Sequence, residues 1–315
     1  MKSENNQLNI KSFISRLSLG ILVATFVSLP LWTGCDDNAN QLSWGKPQLP
    51  EAGGGLPYCD PEPGKMPMDK PVVYVPPKPP VTPPEKINKP PKELYKPVVE
   101  IVGKSVLGTP IKSYTFGKGK NPVFIFGGIH GEERAAAAVA TMLVNYLKKH
   151  PEFYSQKRIV IIDRANPDGL AVGRRVNENG VDLNRNFPAS NFDKKTARFG
   201  KTPLSQPEAK ALYKVMNKLK PSVTVSIHTC RRGRHGNNWD GTGKKYADAM
   251  SKFNRYKSFT DWHSPTPGSF GSWAGVDKKQ AIVTLEIPND MSDSAAWREN
   301  VGALLELIRI APKAK

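Results

Sequence analysis

At 315 residues the chain could hold one large domain or two small ones, but more than half of its 29 prolines fall between Pro47 and Pro97, which excludes a packed core over that stretch. Three cysteines fit a disulfide framework poorly. The formal net charge of +18 is concentrated in residues 96–315 and either favours an anionic partner or serves solubility alone. With no aromatic-and-basic module and no zinc-finger spacing, no nucleic acid is expected.

Lys2, Lys11 and Arg16 precede an apolar run from Leu17 to Trp32, the layout of a secretory signal, so residues 1–34 are expected to direct export to the periplasm or cell envelope. Leu31-Trp32-Thr33-Gly34-Cys35 resembles a bacterial lipoprotein processing box, which makes Cys35 a lipidation candidate and a lipid anchor in the membrane an expectation. Trp32 departs from the small aliphatic residue usual there, and an ordinary cleaved signal or an uncleaved anchor stays open. Residues 35–95 read as a Pro-rich linker, with runs such as Pro76-Pro77-Lys78-Pro79-Pro80 that favour extended polyproline. If lipid consumes Cys35, only Cys59 and Cys230 remain to pair, and Cys230 is expected as a small buried residue beside the site.

Residues 96–315 alternate strand and helix patterns. Val99–Val106 and Ile111–Phe116 predict an opening pair of strands, and the continuous apolar run Val123–Phe126 predicts a buried one that ends at Gly127-Gly128. An alanine-rich helix is expected from Glu132 to Lys148, then a strand at Ile159–Ile162 and a long polar segment to Pro203, of the kind that is usually functional or disordered. Ser205–Lys218 has a cap, Pro207 in its first turn and an apolar stripe, and so predicts a helix. Val223–Ser226 and Ala281–Leu285 read as strands, Gly243–Phe253 and Ala295–Ile310 as helices. The class is α/β.

The chemistry gathers at strand carboxyl ends, where open α/β sheets place their sites. His130 follows the Val123–Phe126 strand, His228 follows Val223–Ser226, and Glu286 closes Ala281–Leu285. With only five histidines in the chain, two in equivalent positions weaken a purely structural reading of either. His130 and Glu133, three residues apart in a turn opening a helix, can reach one point; two near ligands and one distant histidine leave a catalytic metal an open place for water. A carboxylate such as Glu286 in an otherwise apolar strand is costly without a partner. Arg174-Arg175 could equally be a solvated basic pair and Asn184-Arg185-Asn186 a polar loop, while His235 and His263 read as loop residues.

These blocks resemble, in order, those of the M14 zinc metallocarboxypeptidases. Gly128-Ile129-His130-Gly131-Glu132-Glu133 looks like the zinc motif, followed by Asn166-Pro167-Asp168-Gly169 and then by Val181-Asp182-Leu183-Asn184-Arg185-Asn186-Phe187, similar to the substrate-carboxylate block. Ser226-Ile227-His228 resembles the third-ligand block and Thr284-Leu285-Glu286-Ile287 the catalytic glutamate strand. The resemblance covers Pro122 to Pro288 and none of the first ninety or so residues. It implies a single carboxypeptidase-like domain with a central mixed, twisted β-sheet flanked by helices. It also implies one Zn2+ held by His130 Nδ1, Glu133 and His228, with Glu286 as general base and Arg175 steadying the oxyanion. Arg185, assisted by Asn184, would clamp a terminal carboxylate, and Asp182 would orient the first zinc histidine.

No tyrosine stands in Gly271-Ser272-Trp273-Ala274-Gly275, where the digestive members of the family carry one. The compact Arg175-to-Arg185 spacing, the Thr202–Glu208 helix entry and Thr266–Trp273 are instead similar to the bacterial murein tripeptide amidase branch, which cuts between γ-D-glutamate and meso-diaminopimelate. The resemblance therefore implies peptidoglycan peptides, or other carboxylate-terminated peptides, as partners. Asp240, Asp261 and Asp277 are the candidates to receive the distal amine of diaminopimelate, and nothing in the sequence chooses among them. Two alternatives stay open: a zinc carboxypeptidase or deacylase for another substrate, and a catalytically silent wall-binding protein.

Overall fold

An uninterrupted apolar strand can be buried only if helices cover both of its faces. Val123–Phe126 meets that condition in the computed structural model, which describes residues 96–262 and 266–313. The expected leader (1–34), the linker (35–95) with Cys35 and Cys59, and His263 lie outside the described residues.

The strands are β1 (Val98–Lys104), β2 (Pro110–Phe116), β3 (Pro122–Gly127), β4 (Arg158–Ile162), β5 (Val223–Cys230), β6 (Gly236–Asp240), β7 (Ser258–Phe259) and β8 (Ile282–Pro288). They form one mixed sheet of eight strands in the order β1-β2-β4-β3-β5-β8-β6-β7. The centre, β4-β3-β5-β8, is parallel; β1, β2 and β6 run antiparallel to the neighbours through which they join it. The helices are α1 (Arg134–Lys149), α2 (Pro167–Val172), α3 (Pro207–Leu219), α4 (Lys244–Asn254) and α5 (Asp293–Ile310), with a π-helix at Gly271–Asp277.

Alternation along each strand sorts the core into two layers. Val123, Ile125, Val225 and Leu285 face α1, α4 and α5, while Phe124 and Phe126 pack with Leu212 and Met216 of α3 and with Phe270 and Trp273 of the π-helix region. His228 and Glu286 alternate with the first set and so face the second layer. The chain returns from β4 across β3 to β5, so the sheet reverses its winding at the carboxyl end of β3, a crevice suited to ligands.

Several expected boundaries move. The strand carrying His228 runs on to Cys230 and the one carrying Glu286 to Pro288, so both residues lie inside paired strands rather than beyond or at their ends. Their backbones are register partners in the β5–β8 ladder. The segment to Pro203 holds more order than its composition suggests. Asn166 caps α2 by accepting from Gly169 N at 3.0 Å with Pro167 in the first turn, and short 3-10 turns stand at Leu183–Arg185 and Ala197–Phe199. Strands β6 and β7 and the π-helix lie where no element was expected. Among the described residues no helix is long and apolar enough to cross a membrane.

Candidate metal centre

The turn between β3 and α1 carries the first two residues of the centre. Gly128 adopts φ +67°, where a side chain would be strained, and a methyl group at Gly131 would lie 2.0 Å from the Gly169 carbonyl carbon. The glycines let the turn tuck against α2 and present His130 and Glu133 side by side. His130 Nδ1 lies 2.7 Å from Glu133 Oε1, and His228 Nδ1, arriving from β5, lies 3.0 Å from Glu133 Oε2. The ligand atoms of His130, Glu133 and His228 all fall within 4.8 Å of one another, and the three side chains are buried.

Two imidazoles and one carboxylate around a single point, with a cavity on the remaining side, suit a four-coordinate zinc ion that keeps one place open. His130 Nε2 faces Asp182 Oδ1 at 3.0 Å, which places the ring proton on that nitrogen and leaves Nδ1 for the metal. Without the ion the same contacts are ion pairs. Burial alone would depress the His130 imidazolium, but the Glu133 charge and the Asp182 hydrogen bond outweigh it and raise its pKa to about 9. Burial works against Glu133 and Asp182 in the opposite sense, and the histidines beside them hold both carboxyls well below the usual carboxylate range.

Arg175 reaches the centre from the loop after α2. Its Nε donates to Asp182 Oδ2 at 2.9 Å, and its Nη1 donates to Glu132 Oε1 at 3.1 Å and lies 3.6 Å from Glu133 Oε1. The 3-10 turn Leu183–Arg185, capped by Asp182, carries the next two residues. Asn184 Oδ1 accepts from Phe270 N at 2.9 Å, tying the turn to the π-helix entry, and Arg185 Nη1 donates to Asn184 O at 2.7 Å. Glu286 stands across from His228 in the ladder and is buried; desolvation, helped by the Glu133 charge, pushes its pKa up to about 7.

His130, Glu133, His228, Arg175, Asn184, Arg185 and Glu286 thus line one cavity of about 500 Å³, with Asp182 behind His130. His235 stays apart, stacked edge-on against Tyr256. Cys230 is half-buried rather than buried and lines the same cavity, its thiol pKa raised by burial and by the Glu286 charge. Sequence reasoning passed over Glu132, whose role as a partner of Arg175 shows only in three dimensions, and Asn238, which lines the cavity from the unforeseen β6.

The family model for zinc carboxypeptidases matches residues 92–290. The chain belongs to the zinc carboxypeptidase family. It is accordingly a metallohydrolase with zinc as its cofactor, and the His-Glu-His cluster is positioned for that ion. Murein peptide amidase A of Escherichia coli is 30% identical over 68% of this chain and 90% of its own length. The protein of the same description from Vibrio campbellii is 28% identical over 67% of this chain and 87% of its own. Among solved structures, the murein-tripeptide amidase of Escherichia coli superposes with a TM-score of 0.57 at 27% identity, over 71% of this chain and 98% of that one. Bovine thrombin-activatable fibrinolysis inhibitor shares the fold, with a TM-score of 0.59 at 19% identity over 69% of this chain and 89% of that one.

Proposed function

We propose that this zinc carboxypeptidase-family enzyme hydrolyses the amide bond before a carboxylate-terminated residue, and that its substrate is the γ-D-glutamyl-meso-diaminopimelate bond of murein peptides. The observation that carries the reading is the sharing of one cavity by the His130-Glu133-His228 cluster, the Glu286 carboxylate and the Arg185 guanidinium. The murein peptide amidases that match most of the chain support the choice of substrate. The leader-like N-terminus and the basic surface of residues 96–315 support an exported enzyme that meets the anionic cell wall.

Zinc, when bound, supplies a Lewis acid that polarises the scissile carbonyl and acidifies water. In the proposed reaction Arg185 pairs with the terminal carboxylate of the substrate and Asn184 fixes the turn that presents it. Glu286 takes a proton from the attacking water and returns it to the leaving amine nitrogen as the C–N bond breaks and the new C–O bond forms. A raised pKa suits both halves of that transfer. Arg175, steered by Glu132 and Asp182, donates to the oxygen on which charge accumulates.

The test is incubation of the zinc-loaded full chain with L-alanyl-γ-D-glutamyl-meso-diaminopimelate, with products read by mass spectrometry. Free diaminopimelate that ceases to appear after chelation is the expected result. An intact tripeptide beside turnover of C-terminal L-amino acids or acylated amino acids would move the substrate to another carboxypeptidase or deacylase class, and no turnover of any of them would leave a silent binding protein.

A further inference from the structure

The loop that joins β5 to β6 has to cross the carboxyl end of β8, because β8 lies between those two strands in the sheet. His228, Glu286 and Gly236 stand side by side across the three strands. Cys230, two residues past His228, pairs with Pro288, and residues 231–235 then carry the chain over the end of β8 to Gly236. The loop thus leaves β5 about 7 Å beyond the level of Glu286.

This crossing is pinned and strongly basic. Arg232 donates to Asp290 from both Nε, at 2.7 Å, and Nη2, at 2.8 Å. Arg234 N donates to Arg231 O at 3.0 Å, Gly233 turns the chain with φ +93°, and the His235 ring stands edge-on to Tyr256. Three arginines occupy four positions, and only Arg232 has an acidic partner. Arg231 and Arg234 are exposed, and neither guanidinium has a hydrogen bond or ion pair among the described residues. Arg234 is close enough to the Cys230 thiol to oppose the rise in pKa that burial and the Glu286 charge cause there. Two like charges held in one tight turn, with no acid between them, favour an anion that both can reach.

The cavity decides which part of a substrate meets them. Asn238 and Thr284, register partners, line it on the side of Glu286 towards the π-helix. Arg185 belongs to that end, since a methyl group at Gly268 would lie 2.4 Å from the Arg185 carbonyl oxygen and its neighbour Asn184 accepts from Phe270 N. Thr229 and Cys230 line the opposite end. With the terminal carboxylate of the released residue at Arg185, the acyl part of the substrate runs towards Cys230 and the loop. In a peptide joined through the γ-carboxyl of glutamate, a free α-carboxylate stands four bonds from the scissile carbonyl carbon, about 5 Å when extended. An ion-pair length of about 3 Å then covers the distance to the loop. A peptide joined through an α-carboxyl has no anion of this kind.

We propose that Arg231 and Arg234 receive the free α-carboxylate of the glutamyl residue on the acyl side of the scissile bond, so that the enzyme selects γ-linked substrates by that anion. The assignment rests on the hydrolase reading above and narrows its substrate class.

The probes are L-alanyl-γ-D-glutamyl-meso-diaminopimelate and the same tripeptide with the glutamyl α-carboxylate converted to its carboxamide, which keeps the size and removes the charge. Calorimetry on the zinc-loaded full chain carrying Glu286→Gln reads binding with turnover slowed. The carboxylate form is expected to bind about tenfold more tightly, a difference of about 1.4 kcal/mol. Adding Arg231→Gln and Arg234→Gln together, which leaves the Arg232–Asp290 pair in place, should reduce the preference to within about twofold. Arg231→Lys with Arg234→Lys should restore part of it, because the charge returns without the fork. Equal affinity for the two tripeptides, binding of neither, or a full preference in the folded glutamine variant overturns the proposal; if the wild type nevertheless releases diaminopimelate from both, the proposed reaction stands without it. A preference that depends on the two arginines, beside a wild type that leaves both tripeptides intact, upholds the proposal and overturns the proposed reaction instead.

Discussion

Asp182→Asn probes how the metal centre is held. The carboxylate accepts three hydrogen bonds, from His130 Nε2 and Asn184 N at 3.0 Å each on Oδ1, and from Arg175 Nε at 2.9 Å on Oδ2. An amide offers one acceptor oxygen, so its NH2 group must confront either the donors at Oδ1 or the arginine. Turning the NH2 toward Arg175 preserves two bonds, breaks the third and removes the negative charge behind the His130 ring. A hydrogen bond to a charged group contributes about 1.5–3 kcal/mol. Loss of the outer partner of a metal-binding histidine typically costs about 10–100-fold in metal affinity. At about 1.4 kcal/mol per decade the two figures agree. Asp182→Asn is therefore expected to bind zinc about 10–100 times more weakly in competition with a chromophoric chelator, with its circular dichroism unchanged. At saturating zinc its kcat/KM should remain low, because Arg175 has lost an anchor. Zinc affinity within twofold of wild type would refute the reasoning.

Glu286→Gln should keep its zinc and lose about 10²–10⁴-fold in kcat, since the amide can neither take nor return the proton. In the wild type, kcat/KM should rise with pH along an acid limb whose midpoint lies at or below about 7, because burial raises the Glu286 pKa and a bound cation can only lower it again; the same limb persisting in the residual activity of Glu286→Gln would exclude Glu286 as its source. Metal-free protein should behave differently. His130 has a pKa raised to about 9, so its ion pairs contribute stability that is fully present below its unfolded value near 6.5 and is lost as pH rises through 9. The Tm of chelated protein is thus expected to fall by several degrees between pH 6.5 and 9, while the zinc-loaded form, in which the metal replaces the proton, does not share the loss. A chelated Tm that holds or rises over that range would contradict the pairing of His130 with Glu133 and Asp182.

Legibility followed the kind of physics each element depends on. Strand β3 was readable because a strand covered on both faces must be apolar throughout, and α3 because its cap, proline and stripe are local signals. Strand β6, with the sequence Gly236-Asn237-Asn238-Trp239-Asp240, shows no apolar alternation. It is a strand because β8 and β7 bind its edges and because Asn237 is satisfied by Ser251 and Asn254, contacts that no window of sequence contains. The π-helix at Gly271–Asp277 likewise takes its course from packing Phe270 and Trp273 against Phe187, with ring centroids 5.2 and 5.7 Å away, and from the space that Gly271 and Gly275 leave for Asp240.

The linear chain by itself determined which residue types could form the centre: a histidine and a glutamate three apart after a buried strand, a second histidine and a lone glutamate on two further strands, and arginines in the polar segment between them. The places of the two histidines and of Glu286 follow from periodicity and from the cost of burying charge, both written locally, whereas the arginines are singled out only by the resemblance to the zinc carboxypeptidases. Only the tertiary structure decided that His228 and Glu286 are ladder partners, that Glu132 and Asp182 share Arg175, and that Asp240 and Asp261 line the cavity while Asp277 is bound to Ser190 outside it. The first two of those relations join residues up to 58 positions apart, and the pairing of strands and the packing of loops, not the propensity of any segment, set them.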